Sequence, residues 1–521
     1  MRPRQAAVRR HLLPTLLGLY VALSVLLFDP KLATFGDNAR YLILGKSLAE
    51  GTGYRDMHLP GTPVHTQYPP GFPLMLAAVT LVCGGVNVLA AKLLVIITGI
   101  AAMFFSYRLL QLVLREKAWP AMAVLASVPA LVVNNHWVLS EMPFLLVLVA
   151  ALYCLVLSDQ RPKAVADRLR IGACALAVAA CFIRSAGIAA VLGMALLFVV
   201  RRQYRNLGIL LGLYAVTAVP WQIINSRSGH GQPYLEQLLA KHPYFLEQGR
   251  AGFGDWALRV WQNLRDYVAK VYPRGLCQTQ PNSWYETISG IVLSLLSAIG
   301  FIRGFRKHLV IATCALCALP VLVCWPYIWL TERFLLPFLP VAVIFLFLGA
   351  DWVGRKLRWQ RLVPALVVAI LLANVVQTWS LARVAVKDNA EYLRGDRYAG
   401  YPIDWRRCFE TIEWIKTNTP EQAVVLARKP EFVYLLSGRR SFCYPITEDR
   451  AQVMAAVLRS QYILVDNFQW SDLTAGLIGP ILRDNPELWE LVFTTAAPRF
   501  CVARISPGVL PTNPPPAADY R

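Results

Sequence analysis

Apolar runs of roughly 20 residues recur along this chain, and short clusters of Lys and Arg separate them. A run of this length can cross a membrane as one helix, so its repetition leaves few other folds open. Only 16% of the 521 residues are charged, whereas about a quarter are charged in a soluble domain. The pattern predicts a mainly α-helical protein that crosses the membrane many times.

The net charge of +21 could indicate a nucleic-acid partner, but we expect none, because the basic residues cluster between the apolar runs as topology signals do. The clusters lie at residues 2–10, 115–117, 161–170, 201–205, 303–307 and 354–361. If all of them are cytoplasmic, an even number of spans must join neighbouring clusters. This gives about 11 transmembrane helices, with the N-terminus in the cytoplasm and the C-terminus outside.

Two apolar stretches need separate interpretation. Residues 1–28 resemble a signal peptide, but no small-residue cleavage site follows them, so we expect a retained signal anchor. Residues 171–200 form one run that is long for a single span and short for two, with Arg184 in its middle. Basic clusters on both sides favour two spans. Arg184 then lies at the outer tip of a helical hairpin.

The chain changes character at about residue 385. Residues 1–385 hold the apolar runs and two long outer loops, at about 29–86 and 226–286. Residues 386–505 alternate strand-like and helical segments, which predicts a small extracytoplasmic α/β domain. Residues 506–521 are rich in Pro and are expected to be disordered.

Within the predicted α/β domain, residues 423–427 and 461–466 resemble short strands. Cys408, Cys443 and Cys501 lie in the same part of the chain. A disulfide bond among them stays open, because cysteine pairing cannot be read from a sequence.

Asp37 follows the first apolar run, in the segment GDNARYLILGKSLAEG. One interpretation makes it a helix N-cap, which is a common role for Asp. The other makes it a general base at the membrane surface, able to deprotonate an acceptor hydroxyl or amine. One face of the predicted helix is apolar, which suggests that the helix lies on the membrane surface; its residues are Tyr41, Leu42, Leu44, Gly45 and Leu48.

Glu141, in the segment SEMPF, begins another apolar run. A carboxyl group beside the bilayer is costly unless it is paired or functional. At the start of a helix it is also favoured by the helix dipole, and both interpretations stay open. His136 is interpreted as a polar loop residue, because no His, Asp and Glu spacing here matches a metal site.

Arg184 and Arg333 are isolated arginines at predicted outer tips. A guanidinium group binds a phosphate through two parallel hydrogen bonds, so the two could hold a lipid phosphate. The simpler interpretations are an ion pair between Arg333 and Glu332, or side chains that reach past the apolar region to the interface.

Three further residues are candidates for the same contacts. Tyr68, in TQYPPGFPLML, has a ring that suits a membrane interface. Lys241 and Lys270 lie in the basic, aromatic fourth loop, which could hold a lipid phosphate or could simply face solvent.

Taken together, these segments resemble the GT-C class of integral membrane glycosyltransferases. The chain is most similar to the dolichyl-phosphate-mannose protein mannosyltransferases and the bacterial aminoarabinose transferases, over essentially its whole length. The matching segments are FGDNARYLILGKSLAEG, YPPGFPLMLA, SEMPF, RSAG and ERFLLPFLP, the last with Phe334 where the family has Tyr.

The resemblance implies an inverting transfer of a sugar from a polyprenyl-phosphate donor to an acceptor, which could be a lipid, a polysaccharide or a protein. It implies Asp37 as general base and Glu141 as an assisting or acceptor-positioning acid. Arg184 and Arg333 would hold the lipid phosphate as it leaves. Asn38 follows Asp37 where some members have a second acid, which argues against a metal-assisted arrangement, and no cofactor is expected. The implied location is the inner (plasma) membrane, with the reaction on its outer face.

Other classes of protein remain as alternatives. A transporter or flippase of lipid-linked sugars usually has ionisable residues at mid-bilayer on broken helices of related halves, and neither feature is visible here. A polymerase or ligase on the outer face would share the chemistry of lipid phosphates but use other motifs. A sensor would not need acids and arginines on separate outer tips.

Overall fold

The computed structural model describes residues 3–35, 37–228, 233–277, 281 and 283–506. The first part of the chain is almost entirely helical. Its helices are α1 (Pro3–Leu26), α2 (Asn38–Ala49), α3 (Gly71–Cys83), α4 (Val88–Leu114), α5 (Ala118–Ser127), α6 (Pro129–Asn134), α7 (Glu141–Ser158), α8 (Lys163–Ile183), α9 (Ile188–Val200), α10 (Tyr204–Arg227), α11 (Pro233–Leu239), α12 (Phe253–Asp266), α13 (Tyr272–Cys277), α14 (Trp284–Gly304), α15 (Leu309–Val323), α16 (Leu339–Lys356) and α17 (Leu362–Leu393).

The later part of the chain mixes helices with strands. Its helices are α18 (Ile403–Asn418), α19 (Pro430–Ser437), α20 (Arg450–Leu458) and α21 (Leu473–Asp484). A short hairpin, β1 (Ala240–His242) and β2 (Phe245–Arg250), precedes them in the fourth predicted outer loop. The remaining strands are β3 (Val424–Leu426), β4 (Arg440–Phe442), β5 (Tyr462–Val465), β6 (Trp489–Thr494) and β7 (Cys501–Ile505).

Within the described residues, 6 helical segments are long and apolar enough to cross a membrane. Shorter apolar helices lie at Leu12–Leu26, Gly71–Cys83, Ser185–Val200 and Leu309–Val323. The chain is therefore consistent with a multi-pass membrane protein. The number of about 11 spans and the orientation of the termini stay predictions.

Two glycines allow one pair of helices to pack very closely. α14 and α16 pack against each other where Gly300 faces Gly349. A side chain at Gly300 would overlap the carbonyl oxygen of Phe345, and one at Gly349 would overlap that of Leu296. Small residues let helix backbones approach closely in this way, which increases van der Waals contact inside a membrane.

The apolar run of residues 171–200 is broken at Arg184. α8 ends at Ile183, Arg184 has an extended backbone, and a short turn at Ser185–Gly187 leads into α9. Gly187 is required there, because a side chain would overlap the backbone of Ala180. The break is thus built into the sequence RSAG, whereas the side of the membrane it faces stays a prediction.

α2 is buried over more of its surface than its one predicted apolar face. Residues around most of its circumference are buried, namely Asn38, Ala39, Tyr41, Leu42, Ile43, Leu44, Gly45 and Ser47. The helix packs against α3 and against α19 from the later part of the chain. Periodicity identified one apolar face of this helix but not its second partner, and its position at the membrane surface stays a prediction.

The strands β3 to β7 form one mixed sheet in the order β4-β3-β5-β7-β6. β4, β3 and β5 are parallel, and β7 and β6 continue the sheet in antiparallel fashion. β3 and β5 lie within the two segments that resembled strands in the sequence. The domain limits and the side of the membrane on which this sheet lies stay predictions.

The sheet contacts the first predicted outer loop directly. The backbone N–H of Ser441 donates to the carbonyl of His58 at 2.7 Å, and Lys46 donates to the Tyr434 hydroxyl at 3.4 Å. Leu59 from the loop joins the apolar core beneath β3 and β4. Loop and sheet thus share a core.

All 11 cysteines lie in the described part of the chain and are free thiols, including Cys408, Cys443 and Cys501. The predicted disordered segment 506–521 lies outside the described residues except for Ser506.

Candidate active site

Asp37 precedes α2 but does not cap it with its side chain. The helix begins at Asn38, and among the described residues the carboxylate makes no capping hydrogen bond. Instead, Asp37 Oδ1 accepts a 2.8 Å hydrogen bond from the Tyr68 hydroxyl, and Oδ2 lies 3.6 Å from Arg333. The side chain is 34% exposed. An exposed carboxylate of this kind can receive a proton from a bound molecule.

Glu141, the first residue of α7, lies beneath the same arginine. Its side chain is only 1% exposed, and Oε1 lies 2.7 Å from Arg333 Nε and 3.0 Å from Arg184 Nη1. Neither carboxylate oxygen accepts an aligned hydrogen bond within the described chain, so charge holds the three groups together. A buried carboxylate between two guanidinium groups fixes their positions.

Arg184 and Arg333 come from separate chain segments and meet at Glu141. Arg184 also donates to Ser140 Oγ at 2.9 Å. Both guanidinium groups lie near the ring of Phe334, at 5.2 and 5.4 Å from its centroid. Glu332 accepts a hydrogen bond from the hydroxyl of the neighbouring Thr331. Arg333 therefore pairs with Asp37 and Glu141, and not with Glu332 as the simpler interpretation of the sequence suggested.

Two formal negative and two formal positive charges therefore meet in what we call the acid–arginine cluster: Asp37, Glu141, Arg184 and Arg333. Each guanidinium group has five N–H donors, more than these carboxylate contacts use. Each arginine therefore keeps N–H groups that these carboxylate contacts do not occupy.

Tyr41 and Ser140 lie beside the acid–arginine cluster. The sequence analysis did not identify either of them as a site residue. Tyr41 OH and Ser140 Oγ lie 3.2 Å apart. The Tyr41 ring packs 5.0 Å from that of Tyr68. The only available signal was spacing, because Tyr41 follows Asp37 by one helical turn and Ser140 precedes Glu141.

A buried network holds Tyr68 in place. The Tyr68 backbone N–H donates to His65 Nε2 at 2.8 Å, so the proton of this neutral ring is on Nδ1, 3.0 Å from Asp56. Arg40 donates to both Asp56 oxygens at 3.2 Å. Burial alone would raise the pKa of Asp56, but Arg40 and His65 hold it well below its usual range. Burial lowers the pKa of His58, beside Asp56, to about 4.

The two lysine candidates lie apart from the cluster. Lys270 donates to Asp266 at 3.3 Å, and Lys241 is an exposed residue of β1. Neither makes an ion pair with the cluster in the described ranges. The fourth loop instead brings Tyr234 close to it, with a ring centroid 6.1 Å from that of Tyr68.

No group of three or more His, Cys, Asp or Glu side chains suited to a metal ion occurs among the residues that the structure describes. His136 is buried and packs edge-on against Phe28. That the site works without a metal stays a prediction.

Comparison with known proteins identifies the fold. No family model and no curated protein matches the sequence. The structure of ArnT from Cupriavidus metallidurans bound to undecaprenyl phosphate matches with a TM-score of 0.57 and 12% identity, over 96% of this chain and 99% of that one. Archaeal oligosaccharyltransferase AglB from Archaeoglobus fulgidus, in complex with an inhibitory peptide and a dolichol-phosphate, matches with a TM-score of 0.54 and 14% identity, over 97% of this chain and 75% of that one.

At such low identities the likeness shows the fold, not the reaction. Both proteins are GT-C glycosyltransferases, so the chain has the GT-C fold that its motifs suggested. The fold is mainly helical, as expected.

Proposed function

We propose that this protein is an inverting glycosyltransferase that uses a polyprenyl-phosphate sugar as donor, on the outer face of the inner membrane. The observation that carries the proposal is the meeting of a partly exposed carboxylate, Asp37, with two arginines around the sealed carboxylate of Glu141. The solved structures with this fold include one bound to undecaprenyl phosphate and one with a dolichol-phosphate. The acceptor is a lipid, a polysaccharide or a protein.

Asp37 and the two arginines have separate roles in the proposed reaction. Asp37 takes the proton from the acceptor O–H or N–H as that atom attacks the anomeric carbon. The bond from this carbon to the phosphate oxygen breaks, and the phosphate leaves with the electron pair. Arg184 and Arg333 stabilise the charge that develops there. A positioned base contributes about 10²–10⁴-fold, and losing one charge-stabilising donor costs about 10²–10³-fold.

Glu141 is buried away from solvent, so its proposed role is to position the two arginines.

The distances from Arg333 to the two carboxylates indicate which contact donor binding must change. Arg333 lies closer to Glu141, at 2.7 Å, than to Asp37, at 3.6 Å. Inversion requires the base and the leaving phosphate on opposite sides of the sugar. We therefore expect donor binding to open the contact of Arg333 with Asp37, while the contact of Arg333 with Glu141 persists.

Lipid binding to the purified protein tests this proposal. We would measure the affinity for undecaprenyl phosphate by native mass spectrometry for wild type, Arg333→Gln and Arg397→Gln. Arg397 is a matched control, because it is an exposed arginine paired with Glu413 in the later part of the chain. We expect at least tenfold weaker binding for Arg333→Gln only. Equal affinities for all three proteins would reject the phosphate-binding role.

A further inference from the structure

The parallel half of the mixed sheet contains a topological switch point. From β3 the chain passes through α19 to β4 on one side, and then through α20 to β5 on the other side of β3. α19 packs with α18, whereas α20 packs with α21. In open α/β sheets, ligands bind in the crevice outside the carboxyl ends of the strands at such a point.

Two cations follow β3 at this place. Within the described residues neither forms a close ion pair, although the charges of Asp466 and Glu431 act on them. Arg428 and Lys429 instead lie against Trp470, with their charged groups 5.8 and 4.9 Å from its ring centroid. Trp470 itself is 48% exposed. Arg428 also donates from Nη1 to Cys443 Sγ at 3.9 Å. The two cations are thus held in place, and their remaining hydrogen-bond donors stay available to an anion.

Two buried polar atoms at the same strand ends lack an aligned hydrogen bond. They are Arg428 Nε and Asp466 Oδ1. Asp466 follows β5 and accepts from Thr474 through its other oxygen at 2.6 Å. Buried polar groups are nearly always paired in native proteins, so these two atoms are able to pair with a bound molecule. A donor and an acceptor fit a ligand that carries both an anionic group and hydroxyl groups.

The crevice lies beside the candidate base. α19 begins directly after Lys429 and packs on α2, which starts next to Asp37. Glu431, in the first turn of α19, lies 3.9 Å from Arg40 of α2. Burial lowers the pKa of Lys429, while the charges of Glu431 and Asp37 act in the opposite direction.

We propose that this switch-point crevice, formed by Arg428, Lys429, Asp466 and Trp470, binds the acceptor of the transfer through an anionic group on a hydroxylated headgroup. The anionic group is a phosphate or a carboxylate, borne by a soluble sugar or by a lipid. The role as acceptor site rests on the proposed function, whereas the binding itself does not.

Binding of defined probes to the full-length protein in nanodiscs tests the proposal. One arm uses radiolabelled hexose 6-phosphate by equilibrium dialysis. The other uses nanodiscs with and without a phosphorylated glycolipid, read out by native mass spectrometry. The variants are the double change Arg428→Gln with Lys429→Gln, and the control Arg440→Gln, an exposed arginine at the amino end of β4.

We expect saturable binding to wild type and to Arg440→Gln, and at least tenfold weaker binding to the double variant. Binding in the first arm assigns a soluble acceptor, and binding only in the second assigns a lipid-borne one. Equal binding by all proteins, or no saturable binding of either probe to wild type, overturns the inference. Undecaprenyl phosphate binding that depends on Arg333 is measured separately, so failure of the proposed function is distinguishable.

Discussion

The Tyr68 hydroxyl donates a 2.8 Å hydrogen bond to Asp37, linking residues that lie 31 positions apart in the first predicted outer loop. Burial raises the pKa of Tyr68 well above its usual range, and the charge of Asp37 raises it further. The phenol therefore keeps its proton and fixes one carboxylate oxygen, while the other faces Arg333. Tyr68 thus orients the proposed base, and its contact with a lipid phosphate stays a prediction.

Replacing Tyr68 with Phe should lower kcat by about 10–100-fold and leave the donor KM nearly unchanged. The reason is that a hydrogen bond to a charged group contributes about 1.5–3 kcal/mol. Release of polyprenyl phosphate from the sugar-linked donor is the readout. Tyr434→Phe serves as the control, because within the described part of the chain its hydroxyl bonds with Lys46 and lies away from Asp37. A wild-type kcat for Tyr68→Phe would contradict this orientation.

Replacing Glu141 with Gln should destabilise the protein by about 3–5 kcal/mol, because two buried arginines lose their shared counter-charge. The double variant Glu141→Gln with Arg184→Gln should recover part of that loss. Unfolding of the purified proteins in detergent measures the coupling, which we expect to be about 1–3 kcal/mol. Strictly additive effects would show that the pair does not interact.

The buried pair of Asp56 and Arg40 should matter far more for stability than an exposed pair. Asp56→Asn leaves Arg40 without its main counter-charge and should lower stability by about 3 kcal/mol or more. Asp484→Asn, which breaks the exposed pair with Arg450, should cost less than about 1 kcal/mol. Thermal unfolding compares the two, and similar losses would argue against a structural role for the loop network.

Stability should depend on pH through Asp466. Burial raises its pKa from 3.8 to about 6, against the lowering effects of Thr474 and Arg428. A raised pKa in the folded state stabilises the protein below about pH 4, and this contribution is lost as the pH rises through about 6. The loss is about 3 kcal/mol at most.

Asp466→Asn cannot titrate, so its stability relative to wild type should rise between pH 4 and pH 7 and stay level above that range. Thermal unfolding over this range, without added ligand, is the measurement. Parallel curves for the two proteins would show that Asp466 ionises normally.

Features that depend on a local sequence pattern could be predicted best. Long apolar runs specify helices, and RSAG specifies the break at Arg184 because only Gly fits beside Ala180. From the basic clusters we predicted outer tips for four residues: Asp37, Glu141, Arg184 and Arg333. In the structure these four side chains lie in contact with one another. Their meeting was inferable because neighbouring helix ends on one side of a membrane lie close together.

Other features depend on contacts between distant segments, which periodicity does not encode. α2 is buried because α19 covers it, from almost 400 residues further on. The network of His65 and Asp56 lies in an irregular loop with no repeating pattern. Lys241 and Lys270 shared a loop with Tyr234, but composition alone could not show which of these side chains approaches the cluster.

Mass spectrometry of polyprenyl-phosphate lipids is the most direct test of Asp37 as the general base. Cells with wild-type protein are compared with cells that carry Asp37→Asn, a change that keeps the shape of the side chain but removes its basicity. We expect a sugar-bearing polyprenyl phosphate to accumulate in the Asp37→Asn cells. An unchanged lipid pool, with the variant folded and present at wild-type levels, would contradict the assignment of Asp37 as the base of a glycosyl transfer.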